Sequence, residues 1–134
     1  MNVRIEVFFM RIFSLVENEK MIEIVESSLE DSEFQVEWLA HEAKLYEKLR
    51  MYKESLVFLP ESYLYNIYEV GSFITRHLPD SKVVLVLNSE YEFDPKQAGK
   101  HEVLYLESDP DELKHKLLKL IYTFKENLKT NVYK

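Results

Sequence analysis

Short apolar runs that alternate with helical periodicities constrain this chain more than any other feature. Residues 11–16 (RIFSLV), 34–39 (FQVEWL), 55–59 (SLVFL), 82–87 (KVVLVL) and 102–106 (EVLYL) read as strands. Run 34–39 alternates strictly: Phe34, Val36 and Trp38 face one way, Gln35 and Glu37 the other, as in a half-buried edge strand. Run 55–59 is continuously apolar, which suits a strand covered on both faces, and Pro60 is expected to stop it.

The intervening stretches carry helical spacing. Asn18 is the expected N-cap of a helix with Met21, Ile22, Val25 and Leu29 on one side. Residues 41–52 form a second helix through Leu45, Tyr46 and Leu49. Residues 62–78 form a third through Leu64, Ile67, Tyr68, Ile74 and Leu78, with Gly71 costing about 1 kcal/mol relative to Ala. Pro95 and Gly99 leave residues 90–101 little room for a helix. Asp109 caps the last helix, Pro110 takes its first position, and Leu113, Leu117, Ile121, Phe124 and Leu128 make its apolar stripe.

Strands that alternate with helices imply βαβ units and a parallel sheet. Right-handed crossovers put helices on both faces where the strand order reverses. The expected fold is therefore α/β, a doubly wound five-stranded parallel sheet of flavodoxin-like order 2-1-3-4-5. At 134 residues the chain suits one domain. Residues 1–9 are expected to be an N-terminal extension and residues 10–130 the folded domain.

Composition narrows the function. Net charge is −7, which opposes a sequence-independent grip on nucleic acid. Cys is absent, so no disulfide, thiol nucleophile or thiolate metal site is available. No stretch approaches the ~20 apolar residues of a membrane span, and Arg4 and Glu6 spoil the first ten residues as a signal peptide. The expectation is a soluble cytoplasmic protein. The four histidines, at 41, 77, 101 and 115, have no ligand spacing.

In open parallel sheets ligands bind beyond the carboxyl ends of the strands, at the switch point. The residues there are Glu17, Asn18 and Glu19; His41; Pro60 and Glu61; Asn88 and Ser89; Glu107, Ser108 and Asp109. Glu17 to Glu19 make either a residual metal site or a helix cap with favourable first-turn charge. Glu61 is either a built-in mimic of a phosphorylated Asp or a solvated first-turn residue. Asn88 and Ser89 either bind a small anion or cap a loop. Tyr63, Tyr65 and Tyr68 offer a partner patch or helix packing, and Lys114, Lys116, Lys119, Lys125 and Lys129 a basic interaction face or a solvated one.

RIFSLVENE followed by a helix resembles the opening of response-regulator receiver domains, where an apolar strand ends in an acidic pair that binds Mg²⁺. SLVFLPE resembles their third strand, which ends in the phospho-accepting Asp. VVLVLNS resembles the fourth, ending in Thr or Ser, and YLESDPDEL the fifth, where the family has a Lys. Order, spacing and strand ends together carry the likeness, over about residues 10–128.

On that resemblance the acidic pair becomes Glu17-Asn18, and the acceptor position falls on Pro60, or on Glu61 after a one-residue shift. The switch residue falls on Asn88 beside Ser89, the Lys on Ser108, and the fourth helix is shortened or lost. The resemblance thus implies a pseudo-receiver: not an enzyme, without metal or cofactor, and independent of phosphorylation. It implies a signalling module that contacts a protein partner, neither nucleic acid nor membrane, as a monomer or weak dimer. The alternatives are a small phosphate- or nucleotide-binding protein or enzyme using the same crevice, and an atypical receiver that accepts phosphate on Glu61. No Gly-rich loop follows the first strand to favour the former.

Overall fold

The computed structural model describes residues 10–63, 73–74, 76–78, 80–88 and 101–132. It holds one sheet of five parallel strands in the order β2-β1-β3-β4-β5. The strands are β1 (Arg11–Leu15), β2 (Val36–Leu39), β3 (Ser55–Pro60), β4 (Lys82–Leu87) and β5 (Glu102–Tyr105). Helix α1 (Glu19–Leu29) follows β1, α2 (Glu42–Met51) follows β2, and a long C-terminal helix (Pro110–Val132) follows β5. The doubly wound, receiver-like order expected from the alternation is the one observed.

Strand side chains alternate between two cores, because successive Cβ atoms leave opposite faces of a pleated sheet. Ile12, Leu56, Phe58, Val84, Val86 and Leu104 pack beneath α1 and the C-terminal helix. Phe13, Leu15, Val57, Leu59, Val83, Leu85 and Leu87 pack on the other face, with Leu45 and Leu49 of α2 and with Ile74. All five residues of the expected stripe on the C-terminal helix are buried, and Leu120 joins them. Ion pairs Lys114–Asp31 (3.8 Å) and Lys125–Glu33 (3.1 Å) tie that helix to the end of α1.

Both expected caps form. Asn18 Oδ1 accepts from the Met21 N–H at 3.0 Å, and Asp109 Oδ2 accepts from the Glu112 N–H at 3.3 Å. Asn18→Ala is expected to lower stability by about 1 kcal/mol, read by urea unfolding; an unchanged midpoint would remove the cap from the argument.

Some boundaries differ from the sequence reading. β2 begins at Val36, two residues after Phe34. The Phe34 N–H is taken by Ser32 Oγ at 3.2 Å, and its ring meets Tyr122 edge-on at 5.1 Å, so the residue serves the helix contact and not the ladder. β1 and β5 each stop one residue early. Val16 and Leu106 nevertheless donate to Leu39 O (3.1 Å) and Leu87 O (2.8 Å). Pro60 does not end β3 from outside: it is the last strand residue, in register with Val86. A proline there is tolerated because the β1 ladder has already stopped at Ser14↔Phe58.

Of the expected third helix, Ile74 is buried, Leu78 is half-buried, and the Leu78 N–H donates to Ile74 O at 2.8 Å, one helical turn back. Leu64, Ile67, Tyr65, Tyr68, Gly71, Pro95, Gly99 and residues 1–9 lie outside the described residues. At the N-terminal end of the sheet, Ser81 Oγ accepts from the Ser55 N–H (3.2 Å) and donates to Lys53 O (2.6 Å), tying β3 to the approach to β4. No helix among the described residues is long and apolar enough to cross a membrane.

Candidate functional site

The strand ends named from the sequence gather at one edge of the sheet, because every strand runs the same way. Glu17 is exposed at the end of β1, and Asn18 next to it spends its side-chain oxygen on the α1 cap. Glu19 opens α1 as its first-turn acid. His41 stands at the N-cap of α2 with no side-chain cap bond.

Pro60 is buried, and its ring offers no donor and no nucleophile. Glu61 is half-buried and starts a single 3₁₀ turn, Glu61–Tyr63. Its Oε2 accepts from Asn88 Nδ2 at 2.8 Å, across the ends of β3 and β4. Among the described residues, this pair is a side-chain hydrogen bond between two of the residues nominated at the strand ends, made across 27 positions of the sequence. Asn88 is thereby fixed as a side-chain donor to a carboxylate, and its backbone oxygen accepts from the Glu107 N–H at 3.1 Å.

Ser108 turns the chain out of β5, its N–H donating to Tyr105 O at 3.2 Å. It faces a cleft of about 390 Å³ between α1 and the C-terminal helix, beside Glu23, Ile24 and Leu113. Among the described residues no hydrogen bond joins Glu17 or Ser108 to the Glu61–Asn88 pair, and no group of three His, Cys, Asp or Glu is placed to hold a metal. Ser89 lies outside the described residues.

A second carboxylate was not singled out in the sequence. Glu42, in the first turn of α2, accepts from the Tyr46 hydroxyl at 2.9 Å and from the Tyr63 hydroxyl. The i, i+4 spacing of Glu42 and Tyr46 is the signal that finds it, since such residues lie on one helical face. The 3₁₀ turn is therefore held at both ends, by Glu61 toward β4 and by Tyr63 toward α2.

Burial pushes the Tyr63 phenol above its ordinary value, and the charge of Glu42 and the hydrogen bond to it push the same way. The raised value means the fold favours the neutral phenol. Its contribution to stability is complete below the unfolded phenol value of about 10 and is lost as pH rises through the raised folded value. Tyr63→Phe is expected to remove a late component from the alkaline titration followed by tyrosinate absorbance; an identical titration curve would contradict the assignment.

The lysine row is partly spent within the chain. Lys114 and Lys125 pair with Asp31 and Glu33, and Lys116 lies 6.0 Å from the Tyr105 ring centroid.

No protein-family model and no curated protein matches the sequence. Among solved structures, the chain is similar to the crystal structure of a CheY-like protein, TadZ, from Pseudomonas aeruginosa. The likeness has a TM-score of 0.65 at 16% sequence identity, and it covers 86% of this chain and 98% of that one. With the observed strand order, it gives the chain a CheY-like, receiver-like fold.

Proposed function

We propose that this protein is a non-catalytic signalling module of the cytoplasm: a pseudo-receiver that acts through contact with a protein partner and not through phosphoryl transfer. The Glu61–Asn88 hydrogen bond carries the reading. It joins Asn88, where the resemblance places the switch residue, to Glu61, which neighbours the acceptor position at Pro60 and takes that position only after a one-residue shift. Glu61 is already held by a neutral donor, and Pro60 beside it has no nucleophilic atom.

The remaining chemistry supports the same reading. Phosphoryl transfer onto a carboxylate needs a metal or cation to meet the charge that develops on the phosphoryl oxygens. Mg²⁺ is usually held through one or two carboxylates plus phosphate oxygens. Of the Glu17-Asn18 pair only Glu17 is a carboxylate, and Asn18 is the cap of α1. Ser108 supplies no positive charge where the resemblance has a Lys. On this reading residues 10–130 suffice for the fold, and the domain is monomeric or weakly dimeric.

The test is incubation of the chain with Mg²⁺ and acetyl phosphate, followed by intact-mass measurement. No gain of one phosphoryl group is expected. A Mg²⁺-dependent gain that disappears in Glu61→Gln would replace this reading with that of a receiver accepting phosphate on Glu61.

A further inference from the structure

One edge of the sheet is open. Among the described residues β2 is hydrogen-bonded to β1 alone. Leu39 O faces β1, where it accepts from the Val16 N–H at 3.1 Å. Backbone groups of successive strand residues leave on opposite sides, so Val36 and Trp38 turn their N–H and C=O to the open edge. An unpaired edge of this kind is a template for another strand. The side chains there are incomplete in the same way. Phe34, Val36 and Trp38 pack against the core beneath α1 and the C-terminal helix but are only half-buried, whereas Ile12, Leu56, Phe58 and Val84 on the same face are buried. At the foot of this edge lies a cleft of about 600 Å³, with Met10, Ile12, Phe34, Val36 and Glu37 in its walls.

Met10 lines this cleft and joins it directly to residues 1–9. Val3, Ile5 and Val7 alternate with Arg4 and Glu6, the pattern of a strand with one apolar face, and β-branched residues favour that state. The length fits as well. Strands lie ~4.8 Å apart, so the outer side of β2 is about 10 Å from β1. Phe8, Phe9 and Met10 span that distance at ~3.3 Å per residue, which leaves residues 3–7 to run beside the four residues of β2. The opposite edge, beyond β5, is about 19 Å from β1, and reaching it uses up most of the segment. The β3–β4 and β4–β5 connections join strands on the far side of β1 from the open edge.

We propose that residues 3–7 pair antiparallel with β2 as a further strand and so cover the open edge from within the same chain. The direction follows from the connection. The chain comes down beside β2, passes beneath its start through the cleft, and rises as β1, which is parallel to β2. An antiparallel strand at the edge of a parallel sheet is a common arrangement. Val3, Ile5 and Val7 lie on the side of Val36 and Trp38 and complete their burial. Arg4 and Glu6 lie on the side of the Glu37–Lys48 ion pair (3.3 Å), where each charge stays in solvent and meets an opposite one. The tether makes this pairing intramolecular, which favours it over pairing with a second copy. The segment thereby guards the edge through which the fold otherwise recruits other strands.

The test is amide hydrogen exchange and nuclear Overhauser contacts on the ¹⁵N-labelled full chain, with light scattering on the same samples. Slow exchange at Val36 and Trp38 in a monomer, with cross-strand contacts to them from residues 3–7, is expected. Neighbouring N–H groups of a strand alternate in direction, so one of Ile5→Pro and Glu6→Pro removes a donor to β2. That variant is expected to speed exchange at Val36 and Trp38 by about tenfold or more, while Ile12, Val57 and Leu85 keep their protection. Fast exchange at Val36 and Trp38 in the unmodified chain, no contacts from residues 3–7, or protection that both proline variants leave in place would overturn the proposal. So would protection that fades on dilution together with a dimer, since the edge then belongs to a second copy. The contacts are read on the unmodified chain, so the test holds even where a proline variant misfolds. None of these outcomes bears on phosphoryl acceptance, so the mass measurement decides that reading separately.

Discussion

Phe58→Ala is expected to lower stability by about 3–5 kcal/mol, the largest loss from any single truncation named here. Phe58 is fully buried in β3, the strand flanked by both β1 and β4. Its ring packs into the core beneath α1 and the C-terminal helix, where the sheet and that helical layer meet around it. Removing it loses the transfer energy of the ring and leaves a cavity that strands fixed on both sides cannot collapse to fill. Against the ~5–15 kcal/mol total of an ordinary domain, that loss brings the chain close to its unfolding threshold. Phe73→Ala removes the same side chain from a site that is 44% exposed and is expected to cost well under half as much. Urea unfolding of the two variants side by side reads the difference. Equal losses would mean that Phe73 is a core residue and not a surface one.

Restoring the acceptor alone is expected to restore nothing. Pro60→Asp places a carboxylate at the end of β3, but Glu61 and Asn88 remain bonded to each other beside it. Asn18 still caps α1 in place of a second metal ligand, and Ser108 still brings no cation. Groups that act as a unit fail non-additively, so one repaired member leaves the rate near that of the unrepaired chain. Asn18→Asp, Pro60→Asp and Ser108→Lys combined are expected to raise phosphorylation by acetyl phosphate by orders of magnitude over any one of them. Asp is as good an N-cap as Asn, so the first of these changes leaves α1 intact. Intact-mass time courses with and without Mg²⁺ provide the measurement. A phosphorylated Pro60→Asp single variant would show that metal site and cation are already present.

Much of the fold was legible because it rests on local pattern. The apolar runs of β3 and β4, the caps at Asn18 and Asp109, and the stripe from Leu113 to Leu128 each follow from spacing within a few residues. The order β2-β1-β3-β4-β5 then follows from parallel pairing and right-handed crossovers. What local pattern cannot supply is partnership at a distance. Glu61 and Asn88 are 27 residues apart, and nothing in either segment announces the other. Glu61 read equally well as a solvated turn residue or as a phosphoaspartate mimic, and only the fold shows that its carboxylate is engaged. Phe34 looked like a strand residue because its alternation with Val36 and Trp38 is correct. Its Ser32 bond and its Tyr122 contact drew it off the ladder. Pro60 looked like a stop and is a strand residue, because the neighbouring ladder ends before the missing N–H matters.

The first strand among the described residues, β1, lies inside the sheet, between β2 and β3. During synthesis β1, α1 and β2 leave the ribosome well before residues 55–60 do. In that interval one edge of β1 has no ladder partner, and Ile12 and Phe13 lack their β3 neighbours. Unpaired edges and uncovered apolar faces are what nascent chains aggregate through. Ser14, the one polar residue within the apolar run 12–15, turns its hydroxyl back to its own strand at Leu15 O (3.0 Å). A nascent chain that has made β1, α1 and β2 but not β3 therefore exposes this open edge and these apolar side chains, the kind of surface that chaperones meet.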